Sequence, residues 1–302
     1  MKKIALFLII TLFYSANSFA IQKRFTLATV DFPPYYASGL PESGWVSEVV
    51  KAALETQGYN VEVRFMPWAK AVKYTKQGYY DALLGAFYTE ERAEAYYFSA
   101  PISQARTGFF KRVDNDISFK ELTDLKGYKI GVVKGYATSK TFDASDYLNK
   151  VVVTSDEVGL KMLNNKSLDL FTGTQASINY LMEQILEEKE PGISERIEFI
   201  KPVLAMNKMY VAISKKAVDA DLKLIDFNQG LRTIYLDGTF RKIKMKHQKM
   251  LRKKAEEQRE KGKAKRQAEE KDDADVEKSS SKKEENKKDE DEAEEKDKEA
   301  EE

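Results

Sequence analysis

The segment Thr89-Glu90-Glu91-Arg92 contains the residue with the clearest chemical potential in this sequence. A guanidinium is planar, keeps its charge and donates two parallel hydrogen bonds to one carboxylate. Arg92 is therefore a candidate for binding a ligand that bears a carboxylate. A surface ion pair with Glu90, Glu91 or Glu94 is the alternative, because a helix start rich in acidic residues offers such partners.

Aromatic residues next to turns form a second group of candidates. Phe32 and Tyr35 surround the Pro33-Pro34 turn that follows the first predicted strand, and Trp68 follows Pro67. Aromatic rings give a binding cleft flat apolar area at little cost in side-chain entropy. Core packing is the alternative for an isolated aromatic residue. A position directly after a strand end favours the cleft for Phe32 and Trp68.

The composition excludes several classes of chemistry. The chain has no cysteine and one histidine, His247. Disulfides, thiolate metal sites, cysteine nucleophiles, Ser-His-Asp triads and histidine metal clusters are therefore not expected. The many acidic residues do not exclude a hydrolase with paired carboxylates, but no pair of them lies in a recognisable catalytic motif. We predict no cofactor and no metal.

The N-terminus is typical of an exported protein. Lys2 and Lys3 precede an apolar run over 4–12, and Ser18-Phe19-Ala20 provides small residues for cleavage after Ala20. A membrane anchor is the alternative, but this run is shorter than the roughly 20 residues that cross a bilayer. No cysteine follows the cleavage site, so a lipoprotein is not expected. We predict a protein that is free in the periplasm.

The C-terminal 52 residues, from Leu251 onward, contain 16 Lys/Arg and 21 Asp/Glu and no aromatic residue. Such a segment cannot bury enough apolar surface to offset its ordering entropy. We predict a tail over 247–302 that is disordered or forms a solvated helix. Nucleic-acid binding is not expected, because no aromatic residue interleaves with the basic stretch and the export signal directs the chain away from nucleic acid.

Between the two ends, apolar periodicity predicts a regular alternation of strands and helices. Strands are predicted over 25–30, 61–65, 81–85, 129–133, 151–153, 168–172 and 209–213. Helices are predicted over 45–54, 68–78, 138–142, 156–164, 176–188 and 219–236. This alternation indicates an α/β fold with parallel sheets covered by helices.

A series of motifs resembles the extracellular solute-binding proteins of family 3, the polar amino-acid receptors of ABC importers. The motifs, in order, are Phe32-Pro33-Pro34-Tyr35, Gly44-Trp45-Val46-Ser47-Glu48, Met66-Pro67-Trp68, Asp81-Ala82-Leu83-Leu84, Thr89-Glu90-Glu91-Arg92, Phe98-Ser99-Ala100-Pro101, Leu122-Thr123-Asp124-Leu125-Lys126-Gly127, Ile130-Gly131-Val132 and Leu236-Asp237-Gly238-Thr239-Phe240. Each motif is weak by itself, and the order of all nine carries the resemblance over 24–246.

The resemblance implies a two-lobed, type II periplasmic-binding-protein fold in which each lobe is a helix-flanked, mainly parallel sheet. Lobe 1 would hold 21–111 and 206–246, and lobe 2 would hold 112–205. Two hinge crossings would lie near 111–113 and 202–207. A ligand would bind in the cleft between the facing lobes, which would close by a hinge motion.

The resemblance also implies roles for particular residues. In the family, the arginine that matches Arg92 clamps the ligand's α-carboxylate, and an aromatic residue after the first strand contacts the ligand side chain. Gly135 and Tyr136 occupy the position at which the family uses backbone amides at a helix N-terminus as an anion cradle. Thr138 is a further ligand candidate, and its alternative role is to cap that helix.

Two departures from the family pattern concern the rest of the ligand. Gly85 ends a strand of lobe 1, and Phe87 stands two places later, where a small hydroxyl residue is usual. Thr174 occupies the apparent position of the aspartate that receives the ligand ammonium. A neutral hydroxyl stabilises a buried ammonium far less than a carboxylate does. The cleft is therefore predicted to favour anionic or zwitterionic ligands over polyamines.

We predict a non-enzymatic, monomeric receptor that binds an amino acid or related carboxylate and delivers it to the permease of an ABC importer. A receptor read by a separate signalling partner is one alternative. A lyase similar to cyclohexadienyl dehydratase, on the same fold, is another.

Overall fold

The computed structural model describes residues 23–254, 256–257 and 260. The predicted signal peptide, with its cleavage site, and the tail beyond residue 260 lie outside the described residues. Contacts between Cα atoms divide the described chain into a large unit that ends at Ile243 and a small unit that begins at Lys244. The large unit contains all the strands described below.

Nine strands occur in the described residues, and they form one sheet. They are β1 (Lys23–Thr29), β2 (Tyr59–Phe65), β3 (Ala82–Phe87), β4 (Tyr96–Phe98), β5 (Ser103–Arg112), β6 (Ile130–Val133), β7 (Lys150–Val153), β8 (Leu170–Thr174) and β9 (Ile197–Ser214). Their order is β2-β1-β3-β9-β5-β8-β6-β7, with β4 beside β9. Pairs of β1 with β2 and β3, and of β6 with β7 and β8, are parallel. All pairs that involve β5 or β9 are antiparallel.

Helices cover both faces of this sheet. They are α1 (Trp45–Glu55), α2 (Trp68–Gln77), α3 (Glu90–Ala95), α4 (Lys140–Ala144), α5 (Asp156–Asn164), α6 (Gln175–Leu181), α7 (Ile193–Arg196), α8 (Ala220–Leu236) and α9 (239–254). Short 3-10 helices span Pro41–Ser43 and Leu122–Leu125, and a π-helix at Met182–Leu186 follows α6. In the described ranges, every helix is too short or too polar to cross a bilayer.

Each half of the sheet has a core on both of its faces. In β1, Phe25 and Leu27 join a cluster under α1 and α8, whereas Ala28 joins a cluster under α2. In the other half, adjacent residues of β5 point to opposite faces of the sheet. Phe110 packs in the core next to α5, and Phe109 packs in the core that contains Leu125 and Phe142. Strands buried on both faces are apolar along their whole length, which explains why the sequence shows continuous apolar runs.

The strands β5 and β9 join the two halves. β9 pairs with β3 over Met209–Ile213, and β5 pairs with β8 over 107–110. β5 and β9 also pair with each other, Thr107 with Ala205 and Phe109 with Ile200. Residues 201–204 of β9 therefore lie opposite the single residue Gly108 and form a bulge. This bulge lies in the stretch of β9 where the second hinge crossing was predicted. The predicted lobe boundaries stay a prediction.

The structure corrects several predicted elements. The predicted strand over 209–213 is the end of a strand that begins at Ile197, and β5 was not predicted. The predicted helix over 138–142 begins at Lys140, because the Ser139 side chain accepts a hydrogen bond from the Phe142 amide. Ser139, and not Thr138, is therefore the cap of α4. The sheet is mixed, since the joining strands run antiparallel to their neighbours.

Candidate ligand-binding site

A cleft lies where the carboxyl ends of β1, β3, β6 and β8 converge. It encloses about 510 Å³ together with its opening to solvent. Its lining residues are Val30, Phe32, Tyr36, Trp68, Gly85, Phe87, Arg92, Thr107, Tyr136, Ala137, Thr138, Thr172, Gly173 and Thr174. Strand carboxyl ends are the usual place for ligands in α/β sheets. Most of the residues predicted for the site therefore line a single cavity.

The short helix α3 positions Arg92. Thr89 caps this helix, and its side chain accepts a hydrogen bond from the Arg92 amide at 3.1 Å. The guanidinium then reaches back into the cleft, where Nη1 donates to the Phe87 carbonyl at 2.7 Å and Nη2 donates to the Gly135 carbonyl at 2.9 Å. Its Cζ lies 5.4 Å from the centre of the Trp68 ring. The Thr-x-x-Arg spacing thus serves both the helix cap and the cleft.

Glu91 and Asp143 lie near enough to interact with the charge of Arg92, but neither pairs with it directly. Within the described residues, no carboxylate forms an ion pair with it, so the alternative pairs with Glu90, Glu91 or Glu94 are not formed. Burial lowers the pKa of Arg92, but an arginine remains charged in a protein. Two of its N–H groups are bonded to carbonyls, and the remaining N–H groups are available to an anion in the cleft.

Aromatic rings form the walls of the cleft. Phe32 lies edge-on to Phe87 and to Tyr136, with ring centres 6.4 Å apart in both pairs. Trp68 begins α2 directly after Pro67, and its Nε1 donates to the Gly135 carbonyl at 3.0 Å. Tyr35 stacks on Phe32 at 5.7 Å but does not line the cavity. The predicted residue Tyr35 therefore supports a wall of the cleft and is not part of its surface.

Tyr36 and Gly85 fit together at the base of the cleft. Gly85 is the residue at which the pairing of β3 with β9 shifts register, and its φ is +79°. A side chain at this position would overlap the Tyr36 ring, which is almost fully buried. Burial raises the pKa of the Tyr36 hydroxyl, so the phenol stays protonated. Glycine is required here both by the backbone conformation and by the ring.

The segment 135–138 follows β6 on the opposite side of the cleft. The Gly135 carbonyl accepts the two hydrogen bonds from Trp68 and Arg92. The Thr138 amide donates to the Asp143 carboxylate at 3.0 Å, and the Thr138 carbonyl accepts from Asn207 at 2.8 Å. The Thr138 amide is thus already bonded to a carboxylate of the chain, and the Tyr136 amide of the predicted anion cradle already donates to the Val133 carbonyl at 3.0 Å.

Threonine hydroxyls supply the other polar groups of the cleft. The Thr172 hydroxyl donates to the Gly131 carbonyl at 3.1 Å, and the Thr107 hydroxyl accepts from Asn207 at 3.0 Å. Thr174 precedes α6 as its cap residue but makes no side-chain cap hydrogen bond. Its hydroxyl faces the cleft without a hydrogen-bond partner among the described residues.

None of the acidic residues near the site belongs to its described lining. The Tyr136 hydroxyl donates to Asp156 Oδ2 at 3.2 Å, and burial raises the pKa of Asp156 to about 6. Asp31 accepts hydrogen bonds from the amide and hydroxyl of Ser38 at the exposed rim. Among the described lining residues, Arg92 is the only one with a charged side chain. No cluster of His, Asp or Glu suited to a metal occurs in the described part of the chain.

The profile of the bacterial extracellular solute-binding proteins, family 3, matches residues 27–250. The chain belongs to this family. The match spans both halves of the sheet and every residue of the cleft. No curated protein sequence matched the chain.

Solved structures share the fold of this solute-binding protein. An ancestral arginine-binding protein bound to arginine is 23% identical, with a TM-score of 0.61, covering 74% of this chain and 97% of its own. The P235GK mutant of ArgBP from T. maritima is 20% identical, with a TM-score of 0.60 and coverages of 73% and 93%. The GluR0 ligand-binding core from Nostoc punctiforme in complex with L-glutamate is 18% identical, with a TM-score of 0.59 and coverages of 72% and 96%. The predicted type II periplasmic-binding-protein fold is confirmed.

Sequence reasoning missed several residues that line the cleft of this solute-binding protein. They are Val30, Tyr36, Thr107, Ala137, Thr172 and Gly173. Most of them are close neighbours of predicted residues, so a wider window around each strand end would have included them. Thr107 belongs to β5, a strand that was not predicted, and no local signal pointed to it.

Proposed function

We propose that this protein binds an amino acid or a related small carboxylate in the cleft and closes around it. The observation that carries the proposal is Arg92, a half-buried cation with N–H groups free for an anion and no acidic partner among the described residues. A carboxylate would satisfy these donors with charge-assisted hydrogen bonds.

The two hydrogen bonds to the Gly135 carbonyl support closure by a hinge motion. Trp68 and Arg92 belong to the half of the sheet that contains β1 and β3, whereas Gly135 follows β6 in the other half. These bonds cross the cleft and bring its walls together. Motion between the halves would bend β5 and β9 near the bulge at 201–204.

Membership of the extracellular family supports a location outside the cytoplasm, and we place the mature chain in the periplasm after cleavage at Ala20. Delivery of the solute to the permease of an ABC importer follows from the role of the family. We propose a monomer and a receptor without catalytic activity. An arginine is a poor proton donor, and the described lining side chains include no histidine, carboxylate, lysine or cysteine to act as a general base.

Thermal-shift screening of residues 21–302 tests the proposal. The panel contains amino acids, organic acids, polyamines and small sugars. A ligand that binds only the folded state raises the melting temperature by mass action. We expect shifts with carboxylates and none with polyamines. A panel without any shift, or with shifts from polyamines alone, would contradict carboxylate binding.

A further inference from the structure

We propose that the solute is a carboxylate with a planar apolar side chain and without an ammonium group, the class of aryl-substituted carboxylic acids. The inference rests on the proposed function and specifies its ligand. It follows from three features of the cleft: one charged side chain, acceptors that are neutral and partly used by the chain itself, and walls made of aromatic rings.

The first feature is the sign of the charge. Arg92 is the one charged side chain among the described residues that line the cleft. Asp143 is bonded to the Thr138 amide, and Asp156 lies behind the Tyr136 ring and accepts its hydroxyl hydrogen. A ligand ammonium in the cleft would therefore find no carboxylate in direct contact. Burying such a cation without a partner is unfavourable.

The second feature is the shortage of neutral acceptors. An ammonium needs about three acceptors when it leaves water. The Gly135 carbonyl already accepts two hydrogen bonds, and the Phe87 carbonyl accepts one from Arg92. The Thr107 hydroxyl accepts from Asn207. The acceptors that remain, the Thr174 hydroxyl and the second lone pairs of the Phe87 carbonyl and the Thr107 hydroxyl, are neutral and stabilise a buried ammonium less than a carboxylate does.

The third feature is the shape of the apolar walls. Five of the lining side chains are aromatic, and they are Phe32, Tyr36, Trp68, Phe87 and Tyr136. Phe32 meets Phe87 at 79° and Tyr136 at 80°. Rings at such angles offer both faces and edges to a further ring, which is a favourable arrangement for a planar aromatic guest. An aliphatic polar side chain would leave these walls without a matching surface.

Calorimetric titration with three compounds of the same skeleton tests the inference. The compounds are 3-phenylpropanoate, L-phenylalanine and 2-phenylethylamine, which carry the carboxylate alone, both groups and the ammonium alone. We expect 3-phenylpropanoate to bind at least about tenfold more tightly than L-phenylalanine, because only the amino acid must bury an unpaired ammonium. We expect no binding of the amine.

Equal or tighter binding of L-phenylalanine would overturn the inference and leave carboxylate binding intact. Binding of the amine would overturn both. If none of the three binds, the aromatic class is wrong, and the thermal-shift panel shows separately whether another carboxylate is the ligand.

A substitution at Thr174 provides a second test. Thr174 lines the cleft at the cap position of α6, where aspartate and asparagine both suit the backbone. Thr174→Asp supplies the missing acid, and Thr174→Asn is the uncharged control of nearly the same shape. We expect Thr174→Asp to shift the preference toward L-phenylalanine by about tenfold or more relative to Thr174→Asn. An unchanged preference in the aspartate variant would contradict the charge argument.

Discussion

Arg92 keeps its charge in a partly buried position because protein groups replace the water around it. Two main-chain carbonyls accept hydrogen bonds from its guanidinium, and the Trp68 ring lies beneath its positive centre. Carbonyl dipoles and the face of an indole both stabilise a cation without neutralising it. The guanidinium is therefore oriented before a ligand arrives, and it still carries the charge that attracts an anion.

Replacement of Arg92 by alanine is expected to abolish binding of the carboxylate ligand. Loss of a charged hydrogen-bonding partner costs about 2–5 kcal/mol of binding free energy. Arg92→Lys is expected to recover part of the affinity, since it restores the charge but not the two parallel donors. Calorimetry with the ligand found in the screen measures both variants.

Arg24→Ala is the matched control for these variants, because Arg24 pairs with Glu62 at the amino end of β1, whereas the cleft lies at the carboxyl end of that strand. We expect its affinity to equal that of the wild type. Unchanged affinity in Arg92→Ala would show that the carboxylate binds elsewhere.

Asp156 gives the stability of the protein a defined dependence on pH. Burial raises the pKa of Asp156 to about 6, above the value of about 3.9 for an unfolded aspartate. The folded state then binds this proton more tightly, so the contribution of Asp156 to unfolding free energy falls as pH rises from about 4 to about 6. We expect Asp156→Asn to raise the melting temperature relative to the wild type at pH 8, with the difference vanishing near pH 4.

The measurement is the difference in melting temperature between wild type and Asp156→Asn at several pH values. Using the difference removes the contributions of other titrating groups. A difference that is independent of pH, or that grows as pH falls, would contradict the raised pKa.

Single residues of the site were predictable where a local pattern also fixed the backbone. The Thr89-Glu90-Glu91-Arg92 motif pointed to Arg92, and the cap that Thr89 forms with the Arg92 amide orients this residue toward the cleft. Tyr36 was not predictable, because Phe32 and Tyr35 are also aromatic. The conformation of the turn at Pro33-Pro34 decides which of these rings line the cleft. The hydrogen bond from the Thr138 amide to Asp143 was not predictable either. It forms because Ser139, and not Thr138, caps α4.

At the level of elements, the end of β3 shows how an irregularity shapes the cleft. The register shift at Gly85 turns the strand, so that Phe87 lines the cavity and its carbonyl accepts from Arg92. Bulges of this kind redirect side chains next to binding sites. The Tyr36 ring fills the space that a side chain at Gly85 would need.

We expect Gly85→Ala to destabilise the fold by about 2–5 kcal/mol, from left-handed backbone strain together with overlap against the Tyr36 ring. Gly58→Ala is a matched control, because Gly58 has the same φ of +79° but no atom near the position of an added side chain. It should cost only about 1–2 kcal/mol. Chemical denaturation measures both variants, and equal losses would show that the ring overlap contributes nothing.

The longer helices and the parallel strands were predictable because each carries its own apolar period, whereas the short helices α3 and α7 were not predicted. The predicted helix over 156–164 coincides with α5, where Ser155 provides the cap. β5 and the first part of β9 were not predicted, since they pair with strands from both halves and alternate between buried and exposed contexts along their length. Their pairing depends on residues about 100 positions apart, for example Ala105 with Asn207. No local window contains that information.

At the level of the whole molecule, the two halves share a sheet but keep separate cores. The continuity of β5 and β9 links them, while the clusters around Phe25 and Phe171 lie in different halves. The proposed closure requires such an arrangement, because each half would move as a rigid body while the joining strands absorb the change. The cleft is then the surface that such a motion opens or covers.

Removal of residues 261–302 is expected to leave solute affinity unchanged and to alter the unfolding free energy by less than about 0.5 kcal/mol. The segment lies beyond the family match, which ends at residue 250, and it contains no aromatic residue. Calorimetric titration and chemical denaturation of residues 21–260 and 21–302 make the comparison. A large loss of stability in the shorter chain would show that the tail packs on the folded part.

Closure itself is tested by Trp68→Phe, which keeps an aromatic wall but removes the Nε1 donor that bonds to the Gly135 carbonyl across the cleft at 3.0 Å. In the proposed hinge motion this bond forms only in the closed state, so its loss should destabilise that state alone. A neutral hydrogen bond contributes about 0.5–1.5 kcal/mol, which predicts ligand dissociation that is about 2- to 12-fold faster. Association should change little, because the ligand enters the open form. Surface plasmon resonance on the immobilised protein gives both rates.

Trp45→Phe is the control, since Trp45 packs against Phe240 in the core of one half and does not line the cleft. Slower association with unchanged dissociation in Trp68→Phe would place Trp68 in ligand entry, and the bond to Gly135 would then have no role in holding the cleft closed.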